Sequence, residues 1–233
     1  MRNPRARFAV LCALAVVPAP GPLSAAEQMA PPAAVAYQPP AGNPAPRRVG
    51  GNSRGLPPAL PAVAVLAPDH LGLTVSEQPR LLWYLAAPTT ARIELTLVDP
   101  ARAAPLIETV AAGDRAGIHE FQPGAHGVKL EPGVQYEWSI AIVTDPAQRS
   151  RDVFAAGAIM RVEPSAALAQ TLHLAAADGR AAAYANAGVW YDALDAMSAE
   201  IAARPGDRAP RERRAAVLEQ AGLAEAAAFE RRE

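Results

Sequence analysis

The stretch Ala187-Gly188-Val189-Trp190-Tyr191-Asp192-Ala193 governs how the C-terminal third of the chain packs. Two aromatic rings follow a glycine turn and begin a segment whose apolar residues recur at helical spacing: Trp190, Ala193, Leu194, Met197 and Ile201. Because these positions share one face of a helix, they predict an amphipathic helix with that face buried. We therefore interpret Trp190 as a core residue and not as the lining of an active site.

The glycine turn recurs further along the chain, where Ala221-Gly222-Leu223 aligns with Ala187-Gly188-Val189. The shift between them matches the tetratricopeptide period, which is about 34 residues. We predict that residues 164–233 form a small tetratricopeptide-like helical module, and that its helices are held together by Tyr184, Gly188, Trp190 and Ala193. Since fewer than three such repeats rarely fold alone, we expect the helices to dock on the rest of the chain or on a partner.

Residues 62–163 carry a different pattern, the alternation of apolar and polar side chains that is typical of β-strands. It is clearest in residues 92–97 and 136–142, whereas residues 81–85 are apolar throughout, as in a strand buried on both faces. Proline and glycine turns recur between these segments at strand-length spacing. The pattern predicts six or seven short antiparallel strands in an immunoglobulin-like β-sandwich, and therefore an α+β chain with β preceding α.

Aromatic residues in this part are predicted to fill its core. The segment Leu130-Glu131-Pro132-Gly133-Val134-Gln135-Tyr136 is similar to a tyrosine corner, in which the phenol bonds back to the preceding loop. Trp83 and Trp138 lie in strand-like segments and are predicted core anchors. An alternative stays open, in which Trp83, Tyr84 or Trp138 is an exposed platform for a ligand.

The N-terminal residues indicate export. Three arginines precede a ten-residue apolar run and a small-residue cleavage site, so residues 1–26 are predicted to be a signal peptide. Cleavage would remove Cys12, the only cysteine, and leave 19 basic and 23 acidic side chains, a net charge of −4. Residues 27–61, rich in proline, alanine and glycine, are predicted to be a disordered tether. We expect a periplasmic or secreted protein of a Gram-negative bacterium, with no transmembrane segment after cleavage.

The sequence predicts no catalytic residue, no cofactor and no metal. His119, Glu120 and His126 are possible metal ligands, but a Pro-Gly turn interrupts their spacing and no fourth ligand is evident. Lys129 is the only lysine, and the bias toward arginine is better explained by a GC-rich coding sequence than by phosphate recognition, so nucleic-acid binding is not predicted. Candidates for partner binding or for contact between the two parts of the chain are Arg149, Arg151, Asp152, Tyr191 and Asp192.

Three motifs in order resemble one bacterial family, domain of unknown function 928, over about residues 67–223. The motifs are Gly72-Leu73-Thr74-Val75-Ser76-Glu77 with Pro79, Trp83 and Tyr84; Asp145-Pro146 and Arg149-Ser150-Arg151-Asp152-Val153-Phe154 with Gly157 and Arg161; and Ala187 to Ala193. The resemblance implies a secreted protein of the same two-part layout, and it implies no activity.

The function predicted from the sequence is that of an exported, non-enzymatic protein that binds or scaffolds another exported or envelope protein. The inference rests on analogy between folds, because both predicted modules commonly serve protein contacts. Two alternatives stay open. One is a carbohydrate-binding module of the cell envelope, and the other is a periplasmic hydrolase, for which no carboxylate pair is singled out.

Overall fold

In the computed structural model, which describes residues 35–42, 48–50, 60–111 and 113–233, the alternating segments form nine β-strands in two sheets. In chain order the strands are β1 (Val49–Gly50), β2 (Val63–Val65), β3 (Gly72–Thr74), β4 (Leu81–Leu85), β5 (Arg92–Val98), β6 (Ile107–Ala111), β7 (Gly117–Phe121), β8 (Gln135–Val143) and β9 (Val153–Arg161). The larger sheet has the order β1-β9-β8-β5-β6, and β3 also pairs with β9; the smaller sheet has the order β2-β4-β7. The predicted signal peptide lies outside the described residues.

The two sheets bury every second side chain of their long strands. Ile93, Leu95 and Leu97 of β5 are at most 1% exposed, and Trp138 and Ile140 of β8 lie in the same core. β4 is buried along its whole length, as its continuous apolar run indicates. Sheets followed by helices confirm the α+β class and the order of its parts, whereas the immunoglobulin-like topology stays a prediction.

One pairing departs from the predicted antiparallel arrangement. β3 lies parallel to β9, with Gly72 opposite Ile159 and Thr74 opposite Arg161. Residues 62–163 contain eight strands, and two of these, β2 and β3, have only three residues each. Such short segments carry too little alternation to be recognised in a sequence, which explains why the observed number of strands exceeds the predicted six or seven.

The segment before β8 forms the contact that defines a tyrosine corner. The backbone N–H of Glu131 donates a hydrogen bond of 3.0 Å to the hydroxyl oxygen of Tyr136. Gly133, between them, has a φ of 76°, a backbone conformation that side chains with a Cβ rarely adopt. The turn and the phenol together fix where β8 begins.

The C-terminal part contains five helices, α1 (Ala166–Leu174), α2 (Arg180–Asn186), α3 (Trp190–Ala203), α4 (Arg208–Gln220) and α5 (Ala224–Arg232). The turns before α3 and α5 share their geometry, since Gly188 and Gly222 have φ angles of 73° and 72°. Val189 N–H donates to Tyr184 O, and at the equivalent positions of the second turn Leu223 N–H donates to Leu218 O, both at 2.9 Å. The tetratricopeptide classification itself stays a prediction. None of the described helices is long and apolar enough to cross a membrane.

Charged side chains also hold the helices together, which the apolar pattern does not reveal. The Arg214 guanidinium of α4 donates to both carboxylate oxygens of Glu230 in α5, at 2.9 and 2.8 Å, and these side chains are only 7% and 1% exposed. Arg214 also donates to Ser198 Oγ in α3 at 2.7 Å. Removing one partner of such a buried pair would leave an uncompensated charge in the core.

Three consecutive residues at the start of α3 attach the helices to the sheets. Trp190 Nε1 donates to Leu66 O at 2.8 Å, and Asp192 Oδ2 accepts from the N–H of Val75 at 3.1 Å. The residue between these two, Tyr191, links the helices to the sheets through a hydrogen bond from its hydroxyl to Ala158 O. The helices therefore dock on the sheets through hydrogen bonds that begin within one turn of helix.

Tyr191 completes this junction inside the core. Its hydroxyl donates to Ala158 O and accepts from Trp138 Nε1, each at 3.0 Å. Burial raises the pKa of the Tyr191 phenol, so the hydroxyl keeps its proton at all ordinary pH values. The ring fits against β3 because residue 72 is a glycine: a Cβ there would lie 2.5 Å from Tyr191 Cε2.

Two segments of the predicted tether pack against this junction. The Tyr37 ring meets Trp190 edge-on at 4.8 Å, and Arg48 donates to the carbonyl oxygens of Ala67 and Ala221. The next residues form β1 along the edge of β9. The prediction of a disordered tether is therefore wrong for residues 35–42 and 48–50. Covering Trp190 stabilises the fold through tertiary contacts, and local composition does not reveal such contacts.

Replacing Trp190 with alanine should destabilise the fold by about 3–5 kcal/mol, because the ring is fully buried and a cavity would remain. Trp190→Phe, which keeps most of the ring but leaves Leu66 O without its donor, should cost about 1–3 kcal/mol. Urea unfolding of the full chain measures both free energies of unfolding. A loss below about 1 kcal/mol for Trp190→Ala would show that the junction is not needed for stability.

Candidate functional site

The outer face of the larger sheet carries an unusual set of exposed apolar side chains. Of the four large apolar side chains that are exposed among the described residues, three lie on this face: Val49 (56% exposed), Val110 (56%) and Phe154 (44%). The fourth, Leu174, lies at the end of α1. Exposed apolar groups that cluster on one surface mark contact sites more often than single ones do.

The strand register places these three side chains on the same side of the sheet. Directly opposed residues point to the same face, and one such row across the sheet is Val110, Glu94, Ala141 and Phe154. Val49 is opposite Ala156, two residues from Phe154 and therefore on that face too. Val110 and Phe154 are three strands apart, about 14 Å. Glu94 and Ala141 lie between them in this row and are only 9% and 8% exposed.

A charged loop reaches onto this face, where it pairs with Glu94 between Val110 and Phe154. Arg149 lies in the turn between β8 and β9 and donates to Glu94 Oε2 at 2.6 Å and to Asp152 Oδ2 at 2.7 Å. Arg92 binds the other oxygen of Glu94 at 2.8 Å. The hydrogen bond from Arg149 is the main reason that the pKa of Glu94 is lowered, against the opposing effect of desolvation. Glu94 therefore stays ionised and holds the loop on the sheet.

In the cluster of Glu94, Arg92, Arg149 and Asp152, the guanidinium groups are more exposed than the carboxylates. The side chains of Glu94 and Asp152 are only 11% and 6% exposed, while those of Arg149 and Arg92 are 52% and 58% exposed. Arg151, in the same turn, is also exposed. Next to Phe154, the exposed charged groups of this cluster are therefore those of its arginines.

The structure separates the five predicted partner-binding or interdomain residues into two groups. Arg149, Arg151 and Asp152 belong to the loop beside the sheet face, where Arg149 and Asp152 form an ion pair. Tyr191 and Asp192 belong to the junction between helices and sheets. Tyr191 is 2% exposed, so a direct contact of Tyr191 with a partner is wrong and the interdomain role is the one that its contacts support.

The residues that were predicted to be structural are buried or half-buried. Trp83, Tyr136, Trp138, Trp190 and Ala193 are all at most 2% exposed. Gly188 is buried in its turn, and Tyr184 is half-buried with its hydroxyl accepting from Arg180. The possible aromatic platform is wrong for its three rings, because Trp83, Tyr84 and Trp138 are 1%, 4% and 1% exposed and no glycan can stack on them.

The possible metal ligands have other partners. His119 stacks on Trp83 with ring centroids 4.3 Å apart, and its Nε2 lies 3.0 Å from Arg115 O. Glu120 accepts from Arg80 at 2.6 Å, while the ring of His126 lies 5.0 Å from that of Phe121. No three His, Cys, Asp or Glu side chains in the described parts of the chain are grouped as ligands of one ion.

A second surface, which the sequence analysis missed, is a groove of about 720 Å³ between α3 and the connection from α1 to α2. One wall follows a single stripe of α3, formed by Asp192, Asp195, Ala196, Ala199, Glu200, Ala203 and the following Arg204. The other wall is formed by Ala176, Ala177, Asp178, Arg180 and Tyr184. The groove could have been predicted from the sequence, because small residues recur at helical spacing on the side of α3 opposite its apolar stripe.

Two carboxyl groups at one end of the groove have raised pKa values. Desolvation raises the pKa of Asp192 to about 6, against the hydrogen bonds that it accepts from Thr74 and Val75. Desolvation also raises the pKa of Asp195, although Arg80 Nε at 2.7 Å acts in the opposite direction. These groups lie in a partly dry environment where their negative charge is costly.

The raised pKa of Asp192 should make the fold less stable as the pH rises. An unfolded aspartate titrates near pH 4, so the folded chain holds this proton more tightly, and stability should fall between about pH 4 and pH 6 by up to about 3 kcal/mol. Asp192→Asn keeps an oxygen for the N–H of Val75 and should remove that part of the pH dependence. Urea unfolding of both proteins from pH 4 to 8 measures it, and identical pH profiles would contradict the assignment.

Comparison with known proteins agrees with the resemblance noted in the sequence. No match was found among curated proteins. One family, described as Domain of Unknown Function (DUF928), matches residues 49–230, which is well over half of the chain and includes the sheets, the junction and nearly all of the helices. The chain therefore belongs to the DUF928 family.

Proposed function

We propose that this DUF928 protein is an exported, non-enzymatic protein that binds another exported or envelope protein through the outer face of its larger sheet. The observation that carries the proposal is the shared face of Val49, Val110 and Phe154, which are 56%, 56% and 44% exposed. Their exposure costs free energy in the isolated protein, and a partner surface that covered them would recover it.

The shape of the face suits a protein partner. The strands of the larger sheet are long, with nine residues in each of β8 and β9, so they offer a broad face. Phe154 projects beside the small side chains of Ala141 and Ala156, which give an opposing side chain room to pack. Aromatic residues at the centre of such patches contribute most of the binding free energy in many interfaces.

The charge beside Phe154 defines the chemistry of that partner. Arg149 and Arg151 extend their cations from the loop, whereas the carboxylates that hold the loop are almost completely buried. A partner with an apolar patch bordered by aspartate or glutamate would match both features. The export of the chain rests on the predicted signal peptide, and an envelope protein is the partner that such a compartment supplies.

Replacing Phe154 with threonine should weaken binding to this partner at least about tenfold, because threonine suits a strand but buries far less apolar area. The full chain with a C-terminal tag captures proteins from a periplasmic and outer-membrane extract, and the captured protein is then purified and titrated against each variant. Arg149→Gln should also weaken binding, and the affinity for the unaltered protein should fall as the salt concentration rises.

Leu174→Gln is the matched control, since Leu174 is even more exposed, at 75%, but lies on α1 away from the sheet. It should bind as the unaltered protein does. Equal loss of binding in the Phe154 and Leu174 variants would indicate non-specific adhesion and would overturn the proposal, as would a partner whose affinity neither Phe154 nor Arg149 affects.

A further inference from the structure

The strand β6 lies at an edge of the larger sheet. It pairs with β5 on one side, and no strand in the described part of the chain pairs with its other side. The opposite end of the sheet differs, because β9 is paired there with both β1 and β3. Adjacent residues of a strand direct their N–H and C=O groups to opposite sides, so about half of those in β6 point away from β5. Such a row of backbone groups is a template for one further strand.

The sequence of β6 favours further pairing. The strand is Ile107-Glu108-Thr109-Val110-Ala111, and three of its five residues are β-branched, as sheets prefer. Edges that must stay unpaired are often protected by proline or lysine, and β6 contains neither. Its backbone is therefore suited to accept a neighbour.

The exposed side chains of β6 define the chemistry of that neighbour. Glu108 and Val110 lie on the outer face of the sheet, where Val110 is 56% exposed and Glu108 is also exposed. Glu108 forms no ion pair or hydrogen bond through its side chain with any other described residue. Directly opposed residues of neighbouring strands share a face and interact, so an unlike charge opposite Glu108 and an apolar group opposite Val110 would both stabilise the pairing.

We propose that β6 binds an extended segment of the partner protein as an additional antiparallel strand, with a lysine or arginine opposite Glu108 and an apolar side chain opposite Val110. This inference rests on the proposed function, because Val110 belongs to the outer face of the larger sheet and an added strand would continue that face. In strand addition the backbone hydrogen bonds supply affinity, and alternate side chains select the sequence. The antiparallel direction is the one that gives the slightly more stable pairing per residue.

Nuclear magnetic resonance titration of the isotope-labelled full chain tests the proposal with two capped pentapeptides, TVTKV and TVTEV. In the proposed register the first valine of TVTKV is opposite Val110 and its lysine is opposite Glu108. We expect TVTKV to bind at least about threefold more tightly than TVTEV, because unlike charges stabilise a cross-strand pair and like charges destabilise it. The amide signals of residues 107–111 should shift most. Equal affinities, or shifts confined to another part of the chain, would overturn the proposal.

Methylation of single backbone nitrogens of TVTKV distinguishes strand addition from contacts made by side chains alone. One peptide is methylated at the lysine nitrogen and the other at the central threonine nitrogen. Since adjacent N–H groups of a strand point to opposite sides, only one of these two nitrogens faces β6. One methylated peptide should therefore bind at least about tenfold more weakly than the other. Equal affinities of the two methylated peptides would contradict strand addition.

A charge reversal in the protein locates the site. Glu108→Lys should reverse the preference, so that TVTEV binds more tightly than TVTKV. Glu131→Lys makes the same charge change at an exposed turn outside β6 and should keep the preference of the unaltered protein. A reversal in both variants would show a general charge effect and would overturn the assignment to β6.

Phe154→Thr distinguishes this inference from the proposed function, since Phe154 lies three strands away from β6. The variant should bind TVTKV as the unaltered protein does. If it loses the captured partner while no peptide binds, strand addition alone is overturned. If it keeps the partner while TVTKV binds β6, the outer-face proposal is overturned and strand addition is supported.

A second copy of the chain is the other strand that β6 could accept. Sedimentation of the unaltered full chain should show a monomer. A dimer that TVTKV dissociates would place a second copy on β6 and would overturn the proposal.

Discussion

Three neighbouring side chains at the start of α3 hold the two halves of this protein in one arrangement. Trp190, Tyr191 and Asp192 each form a hydrogen bond with a different strand-containing segment, and all three bonds lie within one helical turn. A helix fixed at three points within one turn can neither slide nor rotate on the sheets. The remaining helices then pack from α3 outwards, through shared apolar faces and through the buried pair of Arg214 and Glu230.

The same constraint shapes the groove. Asp192 is held against β3 because its carboxylate accepts from the N–H of Val75, and burial at this place raises its pKa although the hydrogen bond itself acts in the opposite direction. Three alanines, Ala196, Ala199 and Ala203, lie on the stripe of α3 that lines the groove. Asp192 therefore belongs both to the junction and to the lining of the groove.

The outer face of the larger sheet is independent of this junction. Its apolar side chains come from three separate strands, and the register of the sheet brings them together. The Arg149 loop lies beside it, held by Glu94 in β5 and by Asp152 in its own turn. The outer face and the groove are therefore lined by different residues.

The sequence alone determined the order of sheets and helices, the tyrosine corner, the repeated glycine turns and the family, because each depends on local periodicity or on residues at regular spacing. It also indicated that Trp190 begins a buried face. Only the tertiary structure decided what Tyr191 and Asp192 contact, that residues 35–42 pack on Trp190, and that Val49, Val110 and Phe154 share one face. The groove belongs to this second group, since its walls come from separate helices. These features depend on strand register and on contacts between distant segments, and no periodicity within a segment specifies them.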